Sequence, residues 1–437
     1  MEILFLCHRV PYPPNKGDKI RSHALLKHMA KHHRVHLACF VDDPADFIYE
    51  NTVRQLAGGE CLFIPLNPVT KWLRASKAML TGQPITTAYF GSAKLKRWIN
   101  ALAKSRPIDR VVVFSSAMAP YLVDFPSFDP AHAILDLVDI DSDKWRQYAA
   151  ATRGPERWIF RREASALLRL ERAAAQQFGA TILVSDHEAK DFAALAPESA
   201  SRIFALNNGV DLEHFAPGSF VNPFSVTKDC IVMTGRMDYR PNVDGAEWFI
   251  REVMPRIALS LPRASFYVVG AGPPRSLRML AGPQIVLTGY VDDVRPYIQH
   301  AAVVVAPLRI ARGTQNKVLE AMAMGKPVVA TQAATRALTV STGVHLWIEN
   351  DPARFADAVI AAARGRDPSC IALNSRRYVE DNHDWQKTLI TLDNLLGGLG
   401  NRPAEQNVEP PPASKALRDN SRPLPFPKAS SVAGAEQ

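Results

Sequence analysis

Residues 313–331 read GTQNKVLEAMAMGKPVVAT, and they place an amine and a carboxylate, Lys317 and Glu320, three positions apart in an otherwise apolar helix. Residues at that spacing are neighbours on a helix surface. The loop before the helix carries Gly313, Thr314 and Asn316, and its free backbone N–H groups can hold a diphosphate at the positive end of the helix dipole. Glu320, one turn in, can accept two hydrogen bonds from the cis-diol of a ribose, while Lys317 can meet phosphate. The same glutamate also suits the helix dipole with no ligand present. Taken alone, the stretch supports both readings.

Two further groups have the chemistry to join it. VMTGRMDYRPN sets Arg236 directly after a strand that ends at Gly235. Ends of parallel strands in one sheet line one crevice, so this guanidinium can reach a diphosphate lying over the 313 loop. In the first half, DIDSD places Asp139 and Asp141 at the end of a strand. Either carboxylate can orient or deprotonate a hydroxyl. Asp141 or Ser142 can equally cap the helix that follows. The spacing of DIDSD is that of a DxD metal motif, but it lies in the other half from the diphosphate loop, and no metal is expected. Gly17, after a proline-rich loop, allows close backbone approach, and Asp18 is expected to cap the next helix. VVGAGPP offers two glycines of a dinucleotide fingerprint, but Arg275 stands where the third belongs and prolines interrupt the turn. NAD is therefore not expected.

These groups need strand ends to hold them, and the chain supplies two sets. EILFLC, VHLACF, RVVVFS, AILDLVD and ATILVS read as strands separated by helical stretches. After a Gly/Pro/Asn-rich hinge, CIVMTG, SFYVVG, QIVLTG, AVVVAP and PVVAT repeat the pattern. Such alternation predicts the α/β class, with doubly wound parallel sheets in two Rossmann-like domains facing a cleft. The boundaries read as 1–220 and 221–385, then a C-terminal helix at 386–400 and a Pro-rich tail at 401–437 that is expected to be disordered.

The 437 residues suffice for two cores, and 47% hydrophobic with 22% charged residues is ordinary for a globular protein. Five dispersed cysteines without a CxxC argue against a disulfide framework or zinc site and for a reducing cytoplasm. The first residues lack the positive start of a signal peptide and read as a strand. The net charge of +9 is concentrated locally, with nine basic residues against one acid in 71–110 and a second basic run in 144–172. Trp72, Trp98, Trp145 and Trp158 lie among these cations, a composition that suits either an anionic membrane surface or solvated helix faces. Nucleic-acid binding has no supporting motif.

The order NNGVDLEHFAP, TGRMDYRPN, VVGAGPP, VLTGYVDDVRPYIQHAAVVVAPLRIARGTQNKVLEAMAMGKPVVAT resembles the nucleotide-sugar domain of GT-B glycosyltransferases of retaining family four, over nearly all of residues 207–331. RVPYPPNKGDKIRS and DLVDIDSDKWRQYA extend the likeness to the PEP-CTERM/exosortase-associated glycosyltransferases found with bacterial exopolysaccharide clusters. The resemblance implies a nucleoside-diphosphate sugar held mainly by the second domain. Arg236 would hold the diphosphate, Gly17 and the loop at 313–316 would approach phosphate and sugar, Glu320 would bind the ribose, and Tyr290 would lie beside the base. It also implies metal-independent, retaining transfer to a lipid-linked or polysaccharide acceptor, with Asp139 or Asp141 at the acceptor, on the inner face of the cell membrane. Two departures bear on this. The family's first glutamate, eight positions before Glu320, is Arg312 here, so the sugar is left open. The family's lysine after the first strand falls near Pro241, leaving Arg240 or Lys317 to replace it. A nucleotide-sugar 2-epimerase and a non-catalytic nucleotide-sugar binding protein are the alternatives on the same fold.

Overall fold

Every strand in both halves pairs parallel, as strand–helix alternation requires. The computed structural model describes residues 1–66, 68–123, 128–225, 229–311, 313–365 and 370–399. Arg312, the side chains of Lys71 and Trp72, and the tail from residue 401, on which the expectation of disorder falls, lie outside them. The first sheet consists of β1 (Glu2–Cys7), β2 (Arg34–Val41), β3 (Gly58–Pro65), β4 (Arg110–Phe114), β5 (Ala133–Val138), β6 (Ala180–Leu183) and β7 (Ile203–Ala205). The second consists of β8 (Cys230–Thr234), β9 (Ser265–Val269), β10 (Ile285–Gly289), β11 (Val303–Ala306), β12 (Val328–Ala330) and β13 (Trp347–Ile348).

Their spatial orders are β3-β2-β1-β4-β5-β6-β7 and β10-β9-β8-β11-β12-β13. Each order reverses once, between β1 and β4 and between β8 and β11. At such a switch point the connections leave in opposite directions and open a crevice at the carboxyl ends of the strands. Arg236 follows β8 and the 313 loop follows β11, so the fold sets both at the switch point of the second sheet. Strands β3, β7 and β13 lack the apolar patterning of the rest. β3 opens on two glycines, and β7 and β13 are three and two residues long at sheet edges.

The chain does not end in its second domain. The helix Ile390–Gly398 returns to the first, where Leu389, Leu392 and Leu396 join the core made by Ile3, Val112 and Ile134. Arg110 Nε clasps it by donating to the carbonyl of Leu396 at 2.8 Å. Outgoing and returning segments meet at the crossing: Val210 N donates to His383 O at 2.7 Å, and His383 Nδ1 donates to Asn208 O at 2.7 Å. Gly209 is glycine for a local reason, because a Cβ there would lie 2.6 Å from the Trp385 ring.

The first helix, Gly17–Met29, carries charge into this junction. Arg21 is fully buried, with Nε on Asp136 Oδ2 at 2.7 Å and Nη1 on Leu206 O at 2.7 Å and Asn208 Oδ1 at 2.9 Å. Burial pushes the Asp136 carboxyl above its usual range, and Arg21 opposes the shift. Lys19, also buried, pairs with Asp46 at 2.6 Å. Removing one partner of a buried pair leaves the other charge uncompensated, at a cost of about 3–5 kcal/mol, whereas an apolar replacement of both is tolerated. Arg21→Met should therefore lower unfolding stability by about that amount in urea, and Arg21→Met with Asp136→Leu should recover most of it. Equal losses in the single and double variants would contradict this assignment.

Candidate functional site

On the second domain, the glycines at the strand ends let backbone and cation come close. Gly235 has φ 140°, and a Cβ there would stand 2.8 Å from Lys317 Nζ. Gly270, in VVGAGPP, has φ 151°, and its Cβ would lie 2.0 Å from Gly235 O. That motif therefore packs β9 against β8 and builds no dinucleotide turn. Lys317 Nζ donates to Asn242 Oδ1, and Asn242 Nδ2 donates to Arg236 O at 2.7 Å. Asn242 thus links the helix cation to the strand-end arginine, a role the sequence did not flag. Of the two substitutes for the missing lysine, Lys317 brings its ammonium to the end of β8. Arg240 begins the helix Arg240–Trp248 as an exposed side chain.

Arg236 is exposed, and its guanidinium forms a two-pronged pair with Asp238, Nε lying 3.1 Å from Oδ1. That hydrogen bond raises its pKa further, as do Asp43 and Asp42 of the first domain at longer range. Tyr290 is 73% exposed beyond β10. Gly17 opens the first helix with nothing within 4 Å of an added Cβ, so no contact within the chain requires glycine there. Asp18 is not a cap. The N-cap is Lys16, and Asp18 holds His8 at 3.2 Å and Arg9 at 2.7 Å. Against the effect of burial, His8 and Arg9 keep its carboxyl far below the usual range.

Lys317 and Glu320 begin the helix Asn316–Ala323. Burial lowers the lysine to about 8 and raises the glutamate to about 7, each restrained by the other's charge. Asn316, Leu319 and Glu320 form part of the wall of a cavity of about 510 Å³. Its other walls include His23 and Lys27 of the first helix, His214 of the inter-domain segment and Trp385 of the returning chain. Arg236, Gly313 and Tyr290 are not on that wall.

From the first domain, β5 brings Asp139 onto the 313 loop. Gly313 has φ 61°, and an added Cβ would meet Asp139 Oδ1 at 2.0 Å. Thr314 Oγ1 donates to Val184 O at 3.3 Å, and Arg336 reaches His187 at 2.6 Å and Asp191 at 3.0 Å, so three contacts join the domains around the loop. Val138 precedes Asp139 with φ 65°, costly for a β-branched residue, and turns the chain out of the strand. Buried carboxylates hold that turn. Glu188 accepts from Ile140 N at 3.4 Å, and Glu171 accepts from Ser142 N at 3.0 Å and Ser142 Oγ at 2.5 Å. Burial first, then the neighbouring Asp139 or Asp141, raises each glutamate to about 7. Neither was singled out in the sequence. The readable signal was that Glu171 falls on the apolar stripe of Leu167, Ala174 and Ala175 in one long helix.

Asp141 faces away from the loop: Ser116 Oγ donates to its Oδ2 at 2.8 Å, and Lys144 Nζ lies 2.5 Å from its Oδ1. Its helix has no side-chain cap, so neither Asp141 nor Ser142 fills the capping role. Asp143 turns instead to Arg146 and Gln147, so the DxD spacing does not converge. Among the described residues no group of three or more His, Cys, Asp or Glu has a metal-binding arrangement.

The contact between Gly313 and Asp139 can be tested as it stands. Gly313→Ala should cost about 1–3 kcal/mol for the positive φ and the clash together. Adding Asp139→Ala should return the clash part, giving a double-mutant coupling of at least about 0.5 kcal/mol in thermal or urea unfolding. Strict additivity would place the two residues apart.

Comparison with known proteins bears on the fold. Residues 228–364 match the family described as Glycosyl transferases group 1. No curated protein sequence matches the chain. Sucrose-phosphate synthase from Thermosynechococcus elongatus superposes with a TM-score of 0.68 at 17% identity, over 91% of this chain and 98% of that one. WaaG, a glycosyltransferase involved in lipopolysaccharide biosynthesis, gives 0.64 at 16% identity over 91% and 100%. The Anabaena protein HepE, solved with UDP and glucose, gives 0.63 at 15% over 91% and 100%. The chain has the GT-B fold, and its second domain carries the group 1 glycosyl transferase signature.

Proposed function

We propose that the protein is a retaining glycosyltransferase that moves a sugar from a nucleoside-diphosphate donor to a lipid-linked or polysaccharide acceptor, without a metal, in the synthesis of a bacterial exopolysaccharide or other cell-surface glycan. The observation that carries this reading is the close approach of Gly313, in the loop that leads into the Lys317 helix, to Asp139 of the other domain, with Lys317 tied through Asn242 to the backbone of Arg236 at the end of β8. The family match over the second domain and the UDP complex of HepE support a sugar-nucleotide donor.

As the glycosidic bond to the diphosphate breaks, negative charge grows on the departing phosphate. Lys317, Arg236 and the N–H groups at the head of the Asn316–Ala323 helix would stabilise it, the kind of fixed electrostatic support that lowers such barriers most. Glu320 would hold the ribose hydroxyls from the next turn. Asp139, against the donor loop, would orient the acceptor hydroxyl. Asp141, two residues on, is held by Ser116 and Lys144. Arg312 leaves the identity of the sugar to experiment.

A thermal-shift screen of nucleoside-diphosphate sugars gives the first test, because a ligand of the folded state raises the apparent melting temperature. Product analysis with and without acceptor then separates transfer from epimerisation at C2. Glu320→Ala should weaken nucleoside-diphosphate binding by about 10–100-fold in calorimetry, the worth of hydrogen bonds to a charged group, with the fold intact. Unchanged affinity would end the ribose assignment. Arg236→Ala should lower turnover by about 10²–10³-fold with little effect on stability. The pH dependence has a defined sign. Glu320 loses its charge below about 7 and Lys317 loses its charge above about 8, so binding should peak between those values and Glu320→Gln should remove the acidic fall.

A further inference from the structure

Apolar side chains project into water at one tip of the first domain. At the end of the helix Pro68–Thr81, Leu80 is 90% exposed and Met79 38%. Near them, in the first turn of the helix Glu156–Gln177, Trp158 is 62% exposed. The two helices are fastened together at this point. Arg162, one turn beyond Trp158, donates to the carbonyls of Ala78, Met79 and Gln83, the last at 2.9 Å. The buried Glu163 accepts from Ile85 N at 2.8 Å and Thr86 N at 2.9 Å. The exposed side chains therefore sit on a braced platform and not on a loose loop.

Cations surround them. Lys77, Arg153, Arg157 and Arg161 are exposed, and residues 71–108 contain no aspartate or glutamate. Glu156 is the exposed acid in this neighbourhood. Indole and aliphatic groups flanked by unbalanced positive charge match the interface of a bilayer, where rings and alkyl chains enter the headgroup region and cations meet lipid phosphates. A protein interface of ordinary size buries about 800 Å² per partner over a complementary surface, which three projecting side chains do not offer. We infer that the tip formed by Met79, Leu80 and Trp158, with Lys77, Arg153, Arg157 and Arg161 around it, docks the first domain onto an anionic lipid bilayer.

The tip is tied to the cleft by a helical hairpin. The helix Asp141–Ala151 starts beside Asp139 and runs for 11 residues, a rise of about 16 Å, before the chain turns into Glu156–Gln177. Trp145 and Tyr148 lie against Phe160 across that hairpin, with ring centroids 5.3 and 6.3 Å apart. Docking through the tip would bring the acceptor side of the cleft near headgroup depth, where a lipid-linked acceptor presents its hydroxyl. This last step rests on the proposed function; the docking does not.

Cosedimentation of the full chain with vesicles tests the docking. Vesicles of phosphatidylcholine mixed with phosphatidylglycerol should bind it, phosphatidylcholine alone should not, and added salt should weaken the binding. Leu80→Glu with Trp158→Glu, and separately Arg157→Glu with Arg161→Glu, should each reduce partitioning at least about tenfold at an unchanged melting temperature. Failure to bind anionic vesicles, or equal binding by the variants, would overturn the proposal. No sugar nucleotide enters this assay, so its failure leaves the donor site standing, and a failed donor screen leaves the docking standing.

Discussion

A guanidinium without exposed surface stands where the two domains are joined. Arg21 holds Asp136 in β5 and, through Leu206 O and Asn208 Oδ1, the segment that leaves for the second domain. Asn208 in turn receives His383 from the segment that comes back. One ion pair thus fixes the first helix, the strand that bears Asp139 and the crossing of the chain. Desolvation makes such a pair a poor source of net stability, but a demanding source of geometry, since the alternative is a buried charge without a partner. The cleft inherits that geometry. Asp139 lies three residues beyond Asp136, and Gly17 lies four residues before Arg21.

How much of this the sequence disclosed depended on the kind of signal. Buried parallel strands such as VVVF and CIVMT are continuous apolar runs, and ten of them were legible for that reason. Strands β3, β7 and β13 were not: β3 opens on Gly-Gly-Glu before its apolar residues, and β7 and β13 are only three and two residues long. The strand-end positions were legible by the switch-point rule: Arg236 follows β8, Gly313 follows β11, and Lys317 Nζ reaches the end of β8 beside Gly235. Residues that act through another side chain carried no motif. Asn242 joins Lys317 to Arg236, and Glu171 and Glu188 set the turn after β5, yet each reads in sequence as an ordinary helical polar residue. Buried charge was the cue available, since Lys19, Arg21, Glu163 and Glu171 interrupt apolar stripes and take their close partners from other elements. Their partners lie up to 187 residues away in the chain, so only the fold names them.

The cations around the cleft each have a partner within the chain, though not an equal one. Arg236 is matched by Asp238, Lys144 by Asp141, and Lys317 leans on the neutral Asn242. A diphosphate brings roughly two negative charges and so has to exchange partners on entry. If the proposed donor binds here, the Arg236–Asp238 pair is the one that would yield most easily. Both side chains are about half exposed, and exposed pairs contribute only about 0–1 kcal/mol. Lys144 is different, because the charge of Asp141, with Asp139 adding to it, raises its pKa against the effect of burial.

Lys317 has the least compensation of the three. Burial lowers it to about 8, which means that its charged form is held at a cost. A phosphate at the head of its helix would remove that cost, raise the lysine's pKa and bind more tightly for doing so. The same burial keeps Glu320 near 7, so each group of the pair is poised to gain from a ligand what the protein alone does not give it. A buried lysine and a buried glutamate that burial drives toward their neutral forms, on a scaffold pinned by the Arg21–Asp136 pair, are the kind of perturbed groups that fit the donor site proposed above.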